Sequence, residues 1–352
     1  PVMIKGPDPD QQAAGFLPAM TIWALIAGPL VDTFAQMLKD RVAVVTGAGR
    51  GIGRGIALLM AEHGAKVVVN DYGVAIDGSQ PSEGPAHDVV AEIVARGGTA
   101  VPVYDNVAQF AGGQRIVQAA VDKFGRIDIL VNCAGILRDR MIFNMTEEEW
   151  DAVIAVHLKG HFNLVRHASV AMRQQRHGRI INFTSSVALF GGSGQANYGA
   201  AKGGIAGLTK VAARDLGRYG ITVNCINPHA ETRMLATIPT TGRQARSAFE
   251  IRREYPIELL PDDPCHPDAI APMVVFLVSD EAANVNGQIF FVRGGSISLL
   301  AQPRPLQAFY KGTRFTVEEL IKWAPHTFAK DLTNPAPPDT VAAPATQEVR
   351  HG

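Results

Sequence analysis

Arg41-Val-Ala-Val-Val-Thr-Gly-Ala-Gly-Arg-Gly-Ile-Gly53 decides the fold. Residues 41–46 are apolar and β-branched, and a glycine ends them. They read as a short buried parallel strand. Gly47, Gly51 and Gly53 follow, and Ile56-Ala-Leu-Leu-Met-Ala-Glu62 continues as a helix that stops at Gly64. The order is strand, glycine-rich turn, helix. Glycines let the backbone approach a pyrophosphate, and the N-terminus of the next helix attracts its charge. The spacing is Gly-x-x-x-Gly-x-Gly rather than Gly-x-Gly-x-x-Gly, and in isolation an ordinary tight turn explains it as well.

Ala65-Lys-Val-Val-Val-Asn70 reads as the second strand, and Asp71 follows it. An acid ~20 residues past such glycines accepts hydrogen bonds from an adenosine ribose. Its charge repels a 2′-phosphate, so Asp71 favours NAD over NADP. Arg50 pulls weakly the other way, and Asp71 is weighted above it. A turn-forming Asp after a strand is the plainer alternative.

Tyr198 and Lys202 stand one helical turn apart in Tyr-Gly-Ala-Ala-Lys, and Ser185 lies 13 residues ahead of the tyrosine. Residues i and i+4 share a helix face. A free tyrosine titrates near pKa ~10, and an adjacent cation lowers it. The phenolate is then a base, and the serine hydroxyl can hold the oxygen whose proton moves. Such a pair alone also arises by chance on exposed helices.

Together these pieces resemble the short-chain dehydrogenase/reductase family. The matching stretches are Thr46–Gly53, Asp105-Asn106-Val107, Asn132-Cys133-Ala134-Gly135, Ser185, Tyr198 with Lys202, Asn224–Pro228, Asn286-Gly287-Gln288 and Gly294-Gly295. They run in family order over roughly residues 39–295. Within the family the likeness is to the (3R)-hydroxyacyl-CoA dehydrogenase part of the peroxisomal multifunctional enzyme and to bacterial relatives. It rests on Val67–Asp71 with an insertion through Glu83, on Ala134–Arg140 and on Val156–Gly160.

The resemblance implies that Gly47, Gly51 and Gly53, with Arg50 and Ile52 beside them, line the pyrophosphate. Asp71 holds the adenosine ribose, and Asp105, Asn106 and Val107 flank the adenine. Asn132, Ala134 and Gly135 border the cofactor, and Pro228 and Thr232 border the nicotinamide. Tyr198 is the general acid/base, Lys202 lowers its pKa and binds the nicotinamide ribose, and Ser185 orients the substrate oxygen. His157 stands where most relatives carry Asn in a proton relay, so a modified relay is expected. His229 replaces a usual Gly and puts the local backbone geometry in question. Ser186 competes with Ser185 for the serine role, and the spacing to Gly178 and Tyr198 favours Ser185.

The implied fold is an α/β Rossmann-like, doubly wound parallel sheet of about seven strands flanked by helices. The chain has 352 residues, of which 47% are hydrophobic, enough for a large interior. One domain over 39–295 is expected, with an extension over 1–38, a helical extension over 296–333 and a disordered tail over 334–352. Pro18 and Pro29 break the apolar stretch of the first extension, which is too short for a span of ~20 residues. No secretory leader is read there. It is either a helix packed on the body or on a neighbour, or a segment ahead of a start at Met37. Thr316–Trp323 has capping-box form, as does Thr146 before Glu147–Glu149.

The 33 basic and 33 acidic residues cancel, which argues against nucleic acid. Cys133, Cys225 and Cys265 show neither a disulfide framework nor metal spacing, and a reducing cytoplasm fits. His157 and His161 lack an evident third ligand, so no metal is expected. Arg138, Arg140 and five arginines between 233 and 253 suit either the phosphates of a CoA thioester or a solvated face.

The expected activity is NAD-dependent hydride transfer between a secondary alcohol and its ketone, with a 3-hydroxyacyl thioester as first substrate. The alternatives are a steroid, a cyclic alcohol or a 3-oxoacyl carrier-protein substrate. A non-catalytic NAD-binding sensor or scaffold is the reading from another class. A homodimer or homotetramer is expected from the resemblance.

Overall fold

The computed structural model describes residues 36–231, 265–303, 305–327 and 329. Thr232, the five arginines from Arg233 to Arg253, most of the N-terminal extension and the expected tail lie outside the described residues.

Eight strands form one sheet in the order β3-β2-β1-β4-β5-β6-β7-β8. They are β1 (Val42–Thr46), β2 (Lys66–Asn70), β3 (Thr99–Val103), β4 (Ile129–Asn132), β5 (Gly178–Phe183), β6 (Ile221–Pro228), β7 (Ile289–Arg293) and β8 (Ser296–Leu299). The first seven are parallel, as expected. The eighth pairs antiparallel with β7, Phe290 opposite Leu299. The sheet therefore runs past residue 295 into the stretch expected to be a helical extension.

Alternation along the strands sorts their side chains to two faces. Ala43 and Val45 of β1 point to one side, with Val67 and Val69 of β2. There they meet α1 (Gly51–Glu62), α2 (Gly84–Ala95) and α8 (Ala271–Val278) through Ile56, Ile93 and Val274. Val42, Val44 and Val68 point to the other side. They meet α3 (Phe110–Phe124), α5 (Gly160–Gln175) and α7 (Ala196–Gly217) through Ile116, Leu164 and Leu216. Strands buried on both faces need no polar side, which explains their uninterrupted β-branched runs. Two short helices, α4 (Glu147–Ile154) and α6 (Ser186–Phe190), lie over the carboxyl ends of the strands, and α9 (Val317–Trp323) closes the described chain.

Both expected capping boxes are present. Thr146 accepts from Glu149 N, and Thr316 accepts from Glu319 N, with the reciprocal bonds formed. Between α4 and α5 the chain makes one π-helical turn over Ala155–Lys159. Such turns are single-residue insertions in an otherwise continuous helix.

β1 lies between β2 and β4, so the strand order reverses there and the carboxyl ends of β1 and β4 open a crevice. The opposite end of the same strands is tied by Asp128, whose carboxylate is fully buried. It accepts from Val42 N at 3.0 Å and from Arg126 at 2.6 Å. Replacing it removes the acceptor of a buried amide and one partner of an ion pair. Asp128→Ala should cost about 3 kcal/mol, read as a lowered urea midpoint at unchanged m-value. An unchanged midpoint would show that this tie is dispensable.

Candidate active site

The crevice is a cavity of about 630 Å³. At one end is the turn after β1. Gly47 has φ +63°, and a Cβ on it would stand 2.7 Å from the Ala134 Cα. The turn is thus pressed against the chain leaving β4, and Thr46 Oγ1 joins the two by accepting from Cys133 N and Ala134 N. Gly47, Arg50, Gly51, Ile52 and Gly53 all line the cavity.

Asp71 follows β2 and faces the same space, half-buried. Its Oδ2 accepts from Gly49 N at 2.8 Å and its Oδ1 from Gly73 N at 2.7 Å. The acid therefore makes the turn that the plainer reading predicts and also shapes the glycine loop. Asp105 pairs with Arg115 at 2.6 Å, Asn106 Oδ1 accepts from Ala108 N, and the Val107 carbonyl accepts from Asn163. All three line the cavity wall.

Asn132 does not. It is buried beneath the lining, and its Nδ2 donates to Asn182 Oδ1 at 2.9 Å. Asn182 in turn donates to Thr209. Of that stretch Cys133, Ala134 and Gly135 reach the cavity, and the asparagine links β4, β5 and α7 instead. Pro228, ending β6, lines the cavity, and Thr232 lies outside the described residues. His229 also lines it, and its backbone N donates to Val292 O.

At the other end of the cavity are the residues expected to do chemistry. Ser185 caps α6, accepting from Val187 N at 3.2 Å, and its hydroxyl acts to lower the pKa of Tyr198. Ser186 is turned to Asn227 at 3.2 Å. Both serines line the cavity. Tyr198 and Lys202 sit on α7. The Lys202 Nζ donates to the Phe183 carbonyl at 2.8 Å and stands 5.6 Å from the Tyr198 ring centre.

Burial dominates both titrations. It pushes Lys202 down to about 8, and it pushes Tyr198 up to about 12 against the opposing effect of the Ser185 hydroxyl. Tyr198 as a whole is partly exposed to the cavity, but its hydroxyl is enclosed. The i,i+4 spacing does bring cation and phenol together. In the protein alone, however, the phenol is not acidified: burial outweighs the Ser185 hydroxyl, and the Asp139 charge adds to the rise.

His157 lies on the π-helical turn, 1% exposed, with its ring edge against Tyr198 at 5.2 Å. Its Nε2 is 2.8 Å from the Ile136 carbonyl. Burial, then the Lys202 charge, hold its pKa well below the ordinary range, so the ring is neutral. The Ile136 backbone N also stands 3.2 Å from the same Nε2, so both polar groups of that residue face the ring. His161 Nδ1 contacts the His157 carbonyl at 2.6 Å, and burial takes it down to about 3. Among the described residues no three His, Cys, Asp or Glu side chains gather as a metal site, and no helix is long and apolar enough to cross a membrane.

Residues 47–296 match the family described as enoyl-(acyl carrier protein) reductase. The chain belongs to the short-chain dehydrogenase/reductase family. It is 43% identical over 296 residues to hydroxyacyl-CoA dehydrogenase ChsB1 of Mycobacterium tuberculosis, covering 80% of this chain and 87% of that one. It is 40% identical over 274 residues to peroxisomal multifunctional enzyme type 2 of Mus musculus, covering 77% of this chain but 34% of that protein. A short-chain dehydrogenase structure from Mycobacterium avium superposes with a TM-score of 0.72 at 44% identity, covering 84% of this chain and 97% of the other.

The chain is therefore an oxidoreductase acting on CH–OH groups with a nicotinamide cofactor. The site fits that group: the glycine turn has no room for side chains where it meets Ala134, and Asp71 sits at the adjoining strand end. The wall built by residues 72–78 and 136–138 was not read from the sequence as cavity lining. Its one signal was the insertion after Asp71. Ile76 accepts from Leu137 N at 2.9 Å, so the insertion folds back across the crevice as a strap.

Gly135 sits against His157, and a Cβ there would fall 2.4 Å from the ring Cε1. Gly135→Ala must displace either the imidazole or the cavity wall. The expected outcome is a fall in turnover of about 10²-fold with an unchanged far-UV spectrum. Full activity would show that His157 can move freely.

Proposed function

We propose that the protein is an NAD-dependent dehydrogenase of 3-hydroxyacyl thioesters. The observation that carries the reading is the convergence of Ser185, Tyr198 and Lys202 on one crevice that also contains the glycine turn and Asp71. The thioester is supported by the names of the relatives, a hydroxyacyl-CoA dehydrogenase and a multifunctional enzyme of the peroxisome. The family description favours a carrier-protein thioester as the second reading. Asp71 supports NAD, since a carboxylate already tied to the loop backbone leaves a 2′-phosphate facing negative charge.

The bound dinucleotide accepts or supplies hydride at its nicotinamide carbon. The chain's own residues handle the proton. Ser185 holds the substrate oxygen, and Tyr198 takes the hydroxyl proton during oxidation. Lys202 supplies the positive charge that stabilises the resulting arrangement. His157 is neutral at rest and stands edge-on to Tyr198, and we assign it to the relay by which the proton reaches solvent. Exposed Phe162 and Val170 on α5 and Val211 on α7 support a homodimer or homotetramer paired through these helices. Three unpaired cysteines suit the cytoplasm.

Turnover of a panel of 3-hydroxyacyl-CoAs with NAD tests the substrate, and absence of turnover on any thioester would overturn it. Tyr198→Phe should lower kcat by about 10²–10⁴-fold; unchanged turnover removes the assigned acid/base. Phenolate grows tenfold per pH unit below about 12, while the Lys202 cation is lost above about 8. The oxidative kcat/KM should therefore rise with pH to about 8 and level off above it. A flat profile across pH 6 to 8 contradicts the assignment. Asp71→Ala should reduce the NAD-to-NADP ratio of kcat/KM about tenfold or more. A wild type that prefers NADP would overturn the reading of Asp71.

A further inference from the structure

Three cations line the crevice among the described residues: Arg50, Arg138 and Lys202. Arg50 belongs to the glycine turn, and Lys202 is buried beside Tyr198. Arg138 lies on the wall formed by residues 136–138 and the strap. Its backbone carbonyl accepts from Asn197 Nδ2 at 2.9 Å, one residue ahead of Tyr198.

Arg140, two residues on, is occupied. It meets Glu149 through both Nε and a terminal nitrogen, at 3.1 and 2.8 Å. Arg138 differs. Its Nε donates to the Asp77 carbonyl of the strap at 2.9 Å, and although its charge lowers the pKa of Asp77 and Glu149, no carboxylate pairs with it within 4 Å among the described residues. The nearby Asp77 carboxylate accepts from its own Ser79, at 2.9 and 2.7 Å. The Asp139 carboxylate accepts from Gln195. A guanidinium anchored by Nε still has its terminal nitrogens to offer, and a phosphate suits that fork.

We propose that Arg138 binds the phosphate of the substrate's pantetheine arm and makes the enzyme selective for phosphorylated thioesters. The inference rests on the thioester reading above. Coenzyme A and a carrier-protein prosthetic group carry the same phosphopantetheine, so either source satisfies the site. Arg138 is a specificity residue and takes no part in the proton transfer.

The test compares one 3-hydroxyacyl chain on three carriers: N-acetylcysteamine, pantetheine 4′-phosphate and coenzyme A. Arg138→Ala should lower kcat/KM on the two phosphorylated thioesters about 10–100-fold, through KM, and leave the N-acetylcysteamine thioester unchanged. Arg138→Lys, which keeps a point charge without the fork, should fall between. Arg140→Ala should leave the ratio between carriers untouched. A loss confined to coenzyme A would place the contact on its nucleotide end and overturn the pantetheine assignment. Equal losses on all three carriers, or none, overturn the inference while the thioester reading stands. If the wild type turns over none of them, both fall.

Discussion

Burial sets the protonation of the catalytic end, and a single ammonium, that of Lys202, modulates it at the neighbouring histidines and cysteines. That ammonium is held inside the protein by the Phe183 carbonyl at the end of β5, and burial already loosens its proton. Its charge then acts on its neighbours. It presses His157 and His161 further towards the neutral state and opposes the rise that burial imposes on Cys133 and Cys225. Two imidazoles lie in the same interior without competing for charge. The cluster holds one cation, and the protein avoids the desolvation cost of a second.

The fold makes that placement possible by dividing labour between the two ends of the sheet. At the amino ends of the strands, carboxylates and guanidiniums close the structure: Asp128 with Arg126, Arg41 with Asp280. At the carboxyl ends, ion pairs such as Asp105 with Arg115 and Arg140 with Glu149 stand at exposed sites. Inside, backbone groups dominate: the Phe183 and Ile136 carbonyls, and the amides of Gly49 and Gly73. Dipoles fixed by the sheet can hold charged or polar side chains without cancelling them.

How much of this was legible depends on the span of chain involved. The glycine turn, Asp71, and Tyr198 with Lys202 were readable because each signal lies within one element or one strand–turn–helix unit. The two capping boxes were readable for the same reason. Asn132 misled because its neighbours do line the crevice, while its own side chain points to β5; that choice is made by the strand pairing and not by the motif. The insertion after Asp71 was legible, but its course across the crevice was not, because its partner is Leu137, far along the chain. The phenol's titration was misjudged because spacing reports how near a cation is and says nothing of how much water remains.

The π-helical turn at Ala155–Lys159 has a consequence for how α4 and α5 share their work. One extra residue in a continuous rod advances the helical phase by about 100°. Ala152 of α4 and, on the turn itself, Ala155 and Val156 line the crevice, while downstream Leu164 and Ala168 pack on the sheet. The slip lets one helix address two layers that a regular spiral could not serve in succession. His157 stands at the step itself. Excision of a single residue there would restore the regular winding and rotate the imidazole out of alignment with either layer.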